Sequence, residues 1–260
     1  ALESIDDLTD EVTITNSMLS KVRWDASIAG LKAGETYTYE DLLYASILPS
    51  GADATISLAI STSGSIDNFV KKMNFYASKI GCKNTLYQNA TGLPEENHYT
   101  TCYDMAIVAC DLLRKYEDIV IPFSSMYESY VRCDTDNPFW LVNTNKMLKL
   151  DNGIDGLKTG WTNEAGYCIT TTMKKNGMRL IAVSMGCESP KKRNSDIVEL
   201  LNYGMSNYEL VTLFKKGEKG ELRTKHRHMD YERNVLSDGW GKENNKKIEA
   251  SIKRKAKNDK

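Results

Sequence analysis

The chain has little with which to hold a metal. It contains three histidines and six cysteines in 260 residues. The cysteines, Cys82, Cys102, Cys110, Cys133, Cys168 and Cys187, include no Cys-x-x-Cys pair, and no histidine sits among them, so no metal site is expected. They read as buried free thiols, and no disulfide can be assigned from their spacing. The chain also lacks an apolar run long enough to span a bilayer. Its net charge is only −1, which favours neither a nucleic acid nor an acidic partner. No internal repeat and no signal-peptide pattern are visible. The sequence opens on Ala1-Leu2-Glu3 without a methionine and enters patterned sequence at once, as a fragment or a processed form would. No cofactor motif appears.

What is present suits a soluble globular protein with a sizeable core, since 41% of the residues are hydrophobic and 27% charged. The charge is uneven. Residues 211–260 hold 15 Lys/Arg against 8 Asp/Glu, a net of +7, which leaves −8 for residues 1–210. That asymmetry suggests a mildly acidic body, residues 1–212, followed by a basic segment, 213–260, that is a tail or the start of a second domain. Beyond residue 221 the apolar pattern fades. A solvated tail is expected there, with a peripheral membrane-surface helix as the alternative.

Residues 38–48 and 53–62 read as two short helices broken by Pro49-Ser50-Gly51-Ala52. Residues 65–80 carry Ile66, Phe69, Val70, Met73, Tyr76, Ala77 and Ile80 on one helical face, with Gly81 as the stop. Thr101 and Asp104 read as a capping box for a helix through about Leu113. The period then changes. Residues 125–133, 166–173 and 178–186 read as strands, and Asn176-Gly177 suits a tight hairpin turn because both residues tolerate positive φ. A last helix should start at Ser189 as N-cap, with Pro190 in the first turn, and run to about Tyr208. Helices first, then an antiparallel sheet, then a helix packed back on it, is an α+β arrangement.

The stretch Asp155-Gly156-Leu157-Lys158-Thr159-Gly160-Trp161-Thr162 sets a lysine and a threonine between two glycines. On a strand beside the hairpin, Gly156 and Gly160 would leave the backbone open to a ligand. Lys158 would offer a charge, Thr159 a hydroxyl, and the backbone its N–H groups. Those parts suit a peptide ending in a carboxylate. Arg193, in the first turn of the last helix, adds a guanidinium that can grip a carboxylate with two bonds. Ser50, in its Pro-Ser-Gly break, can point its hydroxyl into a cleft, although turn and capping roles also suit such a serine.

Three ordered blocks then resemble the D-alanyl-D-alanine carboxypeptidases, the low-molecular-mass penicillin-binding proteins of the DD-peptidase and β-lactamase superfamily. They are Ser50-Gly51-Ala52-Asp53-Ala54, the segment from Asn84-Thr85 through Asn89 and Gly92-Leu93 to Asp104-Met105-Ala106, and Asp155 through Tyr167. The resemblance covers roughly residues 1–215. It implies an antiparallel sheet flanked by helices with a helical subdomain, and three motifs, S-x-x-K, S-x-N and K-T-G. The role it implies is a serine-type carboxypeptidase that removes the last D-alanine from peptidoglycan stem peptides through an acyl-enzyme. Penicillins and other β-lactams would inhibit it, and it would work outside the cytoplasmic membrane. Ser50 would relay protons to the leaving amine, and Lys158 would polarise that serine and the ligand. Thr159, within Lys158-Thr159-Gly160, and Arg193 would bind the terminal carboxylate. The N–H of Trp161 would be one oxyanion donor.

Two departures stand out. Ala52 occupies the place of the S-x-N asparagine. No Ser-x-x-Lys precedes Lys158, and the expectation is that the nucleophile helix and first strands lie just before Ala1. The Ser189-Pro190-Lys191-Lys192 match falls after K-T-G, where its serine reads as an N-cap. These departures keep open a non-catalytic muropeptide-binding module. A β-lactamase of the same superfamily is a further alternative.

Overall fold

The structure is a computed structural model that describes residues 1–133, 135–150, 153–212, 221–226, 229–234 and 250–254. The chain divides into two units, residues 1–175 with 179–201, and residues 176–178 with 202–260.

The first unit opens with a short strand, β1 (Glu11–Thr13), one helical turn, α1 (Asn16–Leu19), and β2 (Thr36–Thr38), which pairs antiparallel with β1. α2 (Tyr39–Ile47) begins at Thr38, where a complete capping box with Asp41 satisfies two N–H groups that have no partner within the helix. α3 (Ala52–Ser63) ends on Gly64 in the left-handed conformation. α4 (Ile66–Lys79) is capped by Ser65 and stopped at Gly81, where the Cys82 N–H returns to the Ala77 carbonyl at 2.9 Å. The stripe read for α4 is only half-buried, and Ala77 alone is fully covered.

α5 (Cys102–Ser125) is twice as long as its expected extent to Leu113. It kinks at Tyr116 and carries Pro122 inside its last turns. Burial decides against the proline's breaking tendency, because Val120, Phe123 and Ser124 all lie in the interior. The expected capping box is half made. Thr101 accepts from the Asp104 N–H, but the Asp104 carboxylate turns to the Asn84 N–H and the Thr85 hydroxyl, both at 2.7 Å.

β3 (Glu128–Val131) and β4 (Phe139–Val142) form a small hairpin. β5 (Ile154–Thr162), β6 (Gly166–Lys175) and β7 (Met178–Cys187) form the three-stranded sheet in that spatial order. The β6–β7 turn holds Asn176 and Gly177 at φ 52° and 77°, as the Asn-Gly pair requires. α6 (Pro190–Asn207) follows, and the Ser189 hydroxyl accepts from the Lys192 N–H at 3.1 Å, which fixes Ser189 as a cap. One core gathers Leu42, Leu48, Leu58, Phe123, Val131 and Leu141. A second packs Leu157 of β5 on Ala109, Leu113 and Val120 of α5. The second unit contains β8 (Tyr208–Thr212), β9 (Glu221–His226), β10 (Met229–Asn234) and β11 (Ala250–Arg254), paired β8 with β11 and β9 with β10. Paired strands therefore stand in part of the segment where a solvated tail was expected. Their pairing is a backbone property that faint apolar periodicity does not report. The rest of that expectation lies outside the described residues.

All six cysteines are free. Their expected burial holds only for Cys82 and Cys187, since Cys102, Cys110 and Cys133 are exposed and Cys168 is half-buried. Among the described residues no helix is long and apolar enough to cross a membrane.

Candidate active site

Ser50 sits between α2 and α3 in the left-handed region, at φ 62°, a conformation uncommon for a non-glycine residue. The surroundings hold it there. The Ser27 hydroxyl donates to the Pro49 carbonyl at 2.9 Å, and the Ala52 N–H donates to the Ser27 carbonyl at 2.8 Å. Gly51 has no room for a side chain, because an added Cβ would lie 2.6 Å from the Ala45 carbonyl oxygen and 2.9 Å from the Ala29 Cβ. Asp53 is 3% exposed and accepts from the N–H groups of Ala29, Gly30 and Leu31 at 2.8–3.0 Å. Its carboxylate braces the 29–31 loop. Ala52 is itself buried and brings no amide to the cleft.

The lysine stretch lies on β5. Lys158 stands opposite Thr170 of β6, Thr159 opposite Ile169, Gly160 opposite Cys168, and Trp161 opposite Tyr167. Lys158 is half-buried, and its ammonium donates to the Thr159 carbonyl at 2.9 Å. Burial lowers its pKa to about 8, and among the described residues it makes no ion pair that would oppose the shift. The two glycines differ. Gly160 is exposed, with nothing within 4 Å of an added Cβ, so the backbone there is open as expected. Gly156 is not open. It sits at φ +153° with a Cβ position 2.4 Å from the Ser124 hydroxyl, so its lack of a side chain lets the end of α5 press against β5.

The residue that joins the two halves was not legible beforehand. Thr144 donates its backbone N–H to the Leu48 carbonyl at 2.9 Å, two residues before Ser50. Its hydroxyl meets that of Thr159 at 2.6 Å. Two asparagines fix it from either side. Asn143 is buried, donates to the carbonyls of Ser124 and Met126, and accepts from the Asn145 N–H at 2.8 Å. Asn145 is fully buried and accepts from the Met147 N–H. An Asn-Thr-Asn run straight after an apolar strand, fourteen residues ahead of the lysine, was the available signal.

Arg193 lies in the first turn of α6 and is 6% exposed. Its Nε and Nη2 donate to the neutral side chain of Asn194 at 3.1 and 2.9 Å. Burial pulls its pKa below the ordinary arginine value, while Cys187, Cys168 and Tyr167 nearby act the other way. A guanidinium keeps its charge under such conditions.

The sequence model described as D-alanyl-D-alanine carboxypeptidase matches residues 2–189. The chain belongs to the D-alanyl-D-alanine carboxypeptidase family. It is 46% identical over 208 residues to the D-alanyl-D-alanine carboxypeptidase DacF of Bacillus subtilis, covering 77% of this chain and 53% of that one. It is 34% identical over 215 residues to DacA of Haemophilus influenzae, covering 81% and 53%. The chain thus spans about half the length of these curated relatives. Among solved structures, penicillin binding protein 5 from Haemophilus influenzae is similar at a TM-score of 0.74 and 32% identity, over 86% of this chain and 64% of that one. The Streptomyces K15 DD-transpeptidase is similar at 0.71 and 27%, over 77% and 80%. The α+β architecture of a DD-peptidase is therefore the fold of this carboxypeptidase-family chain.

Proposed function

We propose that the cleft between Ser50 and Lys158 binds a peptide ending in D-Ala-D-Ala, and that it serves a serine-type D-Ala-D-Ala carboxypeptidase trimming peptidoglycan stem peptides. The observation that carries this reading is a pair of cations, Lys158 half-buried and Arg193 buried, that have no acid beside them among the described residues. Among the described residues, Lys158 and Arg193 make no ion pair, whereas Arg23, Arg132 and Arg179 all do. Burying a charge without a partner costs several kcal/mol, and a ligand carboxylate would offset that cost. The open backbone at Gly160 leaves room for the ligand's own backbone to pair along β5.

In this reading Thr159 and Arg193 hold the terminal carboxylate, and the Trp161 N–H polarises the scissile carbonyl. Ser50, with Lys158 beside it, passes a proton to the departing D-alanine. The acylated serine belongs to a Ser-x-x-Lys motif, which this sequence does not contain ahead of Lys158. Acylation and penicillin sensitivity are accordingly proposed for a protein that supplies that motif. The substrate places the work outside the cytoplasmic membrane, and the basic residues after 211 suit contact with an anionic surface.

A second reading is favoured by Ala52, which brings no amide to the cleft: a module that binds muropeptides without cleaving them. Calorimetric titration with N-acetylated peptides ending in D-Ala-D-Ala or L-Ala-L-Ala, alongside an assay for released D-alanine, tests both. Binding selective for the D,D-peptide and lost in Lys158→Met supports the cleft. Equal binding of both peptides overturns it. D-alanine release by a chain extended with a Ser-x-x-Lys segment separates the enzyme from the binder.

A further inference from the structure

A cavity of about 380 Å³ lies between the β5–β6 turn and the end of β7, and the peptide reading leaves it unused. Trp161 and Tyr167 line it and stand directly opposite each other in the strand register. Their ring centroids are 5.8 Å apart, with planes at 33°. Trp161 is 56% exposed, so much of its indole meets solvent.

The turn is built to hold its shape. The Thr162 hydroxyl accepts from the Ala165 N–H at 3.0 Å. Gly166 and Gly186 both lie in the left-handed region, at φ 65° and 71°. An added Cβ at Gly166 would stand 2.9 Å from the Cys187 carbonyl oxygen and 3.1 Å from the Gly186 carbonyl carbon. The β5–β6 turn is therefore pressed against the end of β7, and the cavity between them is preformed.

Charge decides what the cavity can take. Two carboxylates line it, Glu164 in the turn and Glu188 just past β7, and no lysine or arginine is among the lining residues. Both glutamates are exposed, and among the described residues neither joins an ion pair. Aromatic faces attract a cation, and a carboxylate is the strong hydrogen-bond partner of an ammonium group. An anion would meet two like charges there. An apolar group would strip the carboxylates of water without replacing the lost hydrogen bonds.

We propose that this cavity receives the amine-bearing side chain of a diamino acid at the third position of the stem peptide. Trp161 and Tyr167 would lie against its hydrocarbon chain, and Glu164 and Glu188 would bond its ammonium group. The proposal rests on the reading of the cleft as a D-Ala-D-Ala site and adds which stem peptides that site takes. The register agrees. With the terminal D-alanine at Thr159 and the ligand antiparallel to β5, the third of five residues falls level with Trp161. That is two residues along the strand, roughly 7 Å. A long, flexible amine side chain starting there extends to the turn, with its charged end in the wet mouth of the cavity.

The test titrates the 260-residue chain with two N-acetylated pentapeptides ending in D-Ala-D-Ala. They differ only at the third residue, lysine in one and norleucine in the other. The lysine peptide should bind about fivefold more tightly, the scale of one exposed cation–π contact plus one exposed ion pair. Raising the salt from about 50 mM to about 500 mM should narrow that preference. The double variant Glu164→Gln, Glu188→Gln should bring the two peptides level, with circular dichroism to check its fold. Should that variant fail to fold, acetylating the lysine side chain decides in the unaltered chain, and it should cost the same factor. Equal affinity for the two peptides, or tighter binding of norleucine, overturns the subsite. Selectivity for D,D- over L,L-peptides then still stands for the cleft. A lysine preference that survives undiminished in the folded double variant, or that salt leaves untouched, also overturns the subsite. If neither peptide binds, the cleft and the subsite fall together.

Discussion

Thr144 and Thr159 share a 2.6 Å hydroxyl hydrogen bond, and through it the strand that carries Lys158 is tied to the break that carries Ser50. Thr144→Val keeps the shape and the backbone bond to Leu48 while removing the hydroxyl. Stability should fall by about 1 kcal/mol, read as a shift in the urea midpoint. Affinity for the D,D-peptide should fall more than stability does, because Thr159 loses the group that orients it. Unchanged affinity would show that Thr159 is positioned by its strand alone.

Gly51 and Gly160 make opposite predictions. An alanine at 51 meets the Ala45 carbonyl oxygen, which is backbone and cannot swing aside. Gly51→Ala should cost about 1–3 kcal/mol and disturb the Ser50 turn. Gly160→Ala enters open space, so its melting temperature should stay within about a degree or two, given how little an unstrained surface change contributes. Ligand affinity should nonetheless drop, since the new methyl occupies the edge along which the peptide lies.

Lys158 sets a pH dependence with a definite sign. Its pKa is about 8 when folded and about 10.4 in an unfolded chain. Between those values the unfolded chain binds more protons, so stability rises with pH across that window. Below pH 8 the cost of the buried ammonium is fully present. Lys158→Met should therefore melt higher than the unaltered chain at pH 7, with the gap narrowing as the pH rises past 8. Peptide affinity should move the other way, weakening above pH 8 as the ammonium discharges. A stability gap that does not change with pH would place the titration elsewhere.

Ser189 is a cap and is expected to behave as one. Ser189→Ala removes the acceptor of the Lys192 N–H and should destabilise by about 1 kcal/mol. Fluorescent penicillin should form no covalent adduct with this 260-residue chain, with or without that substitution. A labelled band that disappears in Ser189→Ala would make Ser189 a nucleophile after all.

The local rules carried much of the architecture. Pro49-Ser50-Gly51 separated α2 from α3, Asn176-Gly177 turned the hairpin, and Ser189 started α6, because each signal acts through its own backbone. The errors arose where packing overrode a local rule. The helix capped by Thr101 was expected to end near Leu113, yet the burial of Val120 and Phe123 carries α5 on through Pro122 to Ser125. Gly156 reads as a ligand opening, yet it serves the approach of Ser124. Thr144 stayed hidden because its importance lies in touching Leu48 and Thr159, both distant in sequence. Lys158, Thr159, Gly160 and Arg193 were singled out by residue type and by the family resemblance, but neither could show that Lys158 is half-buried and Arg193 buried with no ion pair among the described residues.

Among the described residues β5 is an outer strand of its sheet, paired on one side only, by β6. A ligand that completes it is held by its backbone, and this has a stereochemical result. In a given strand pairing, inverting one α-carbon exchanges the positions of its hydrogen and its methyl group, so mirror-image residues send their side chains to opposite faces. Handedness is then sorted by which face has room beside Gly160, and the preference for one enantiomer needs no dedicated pocket.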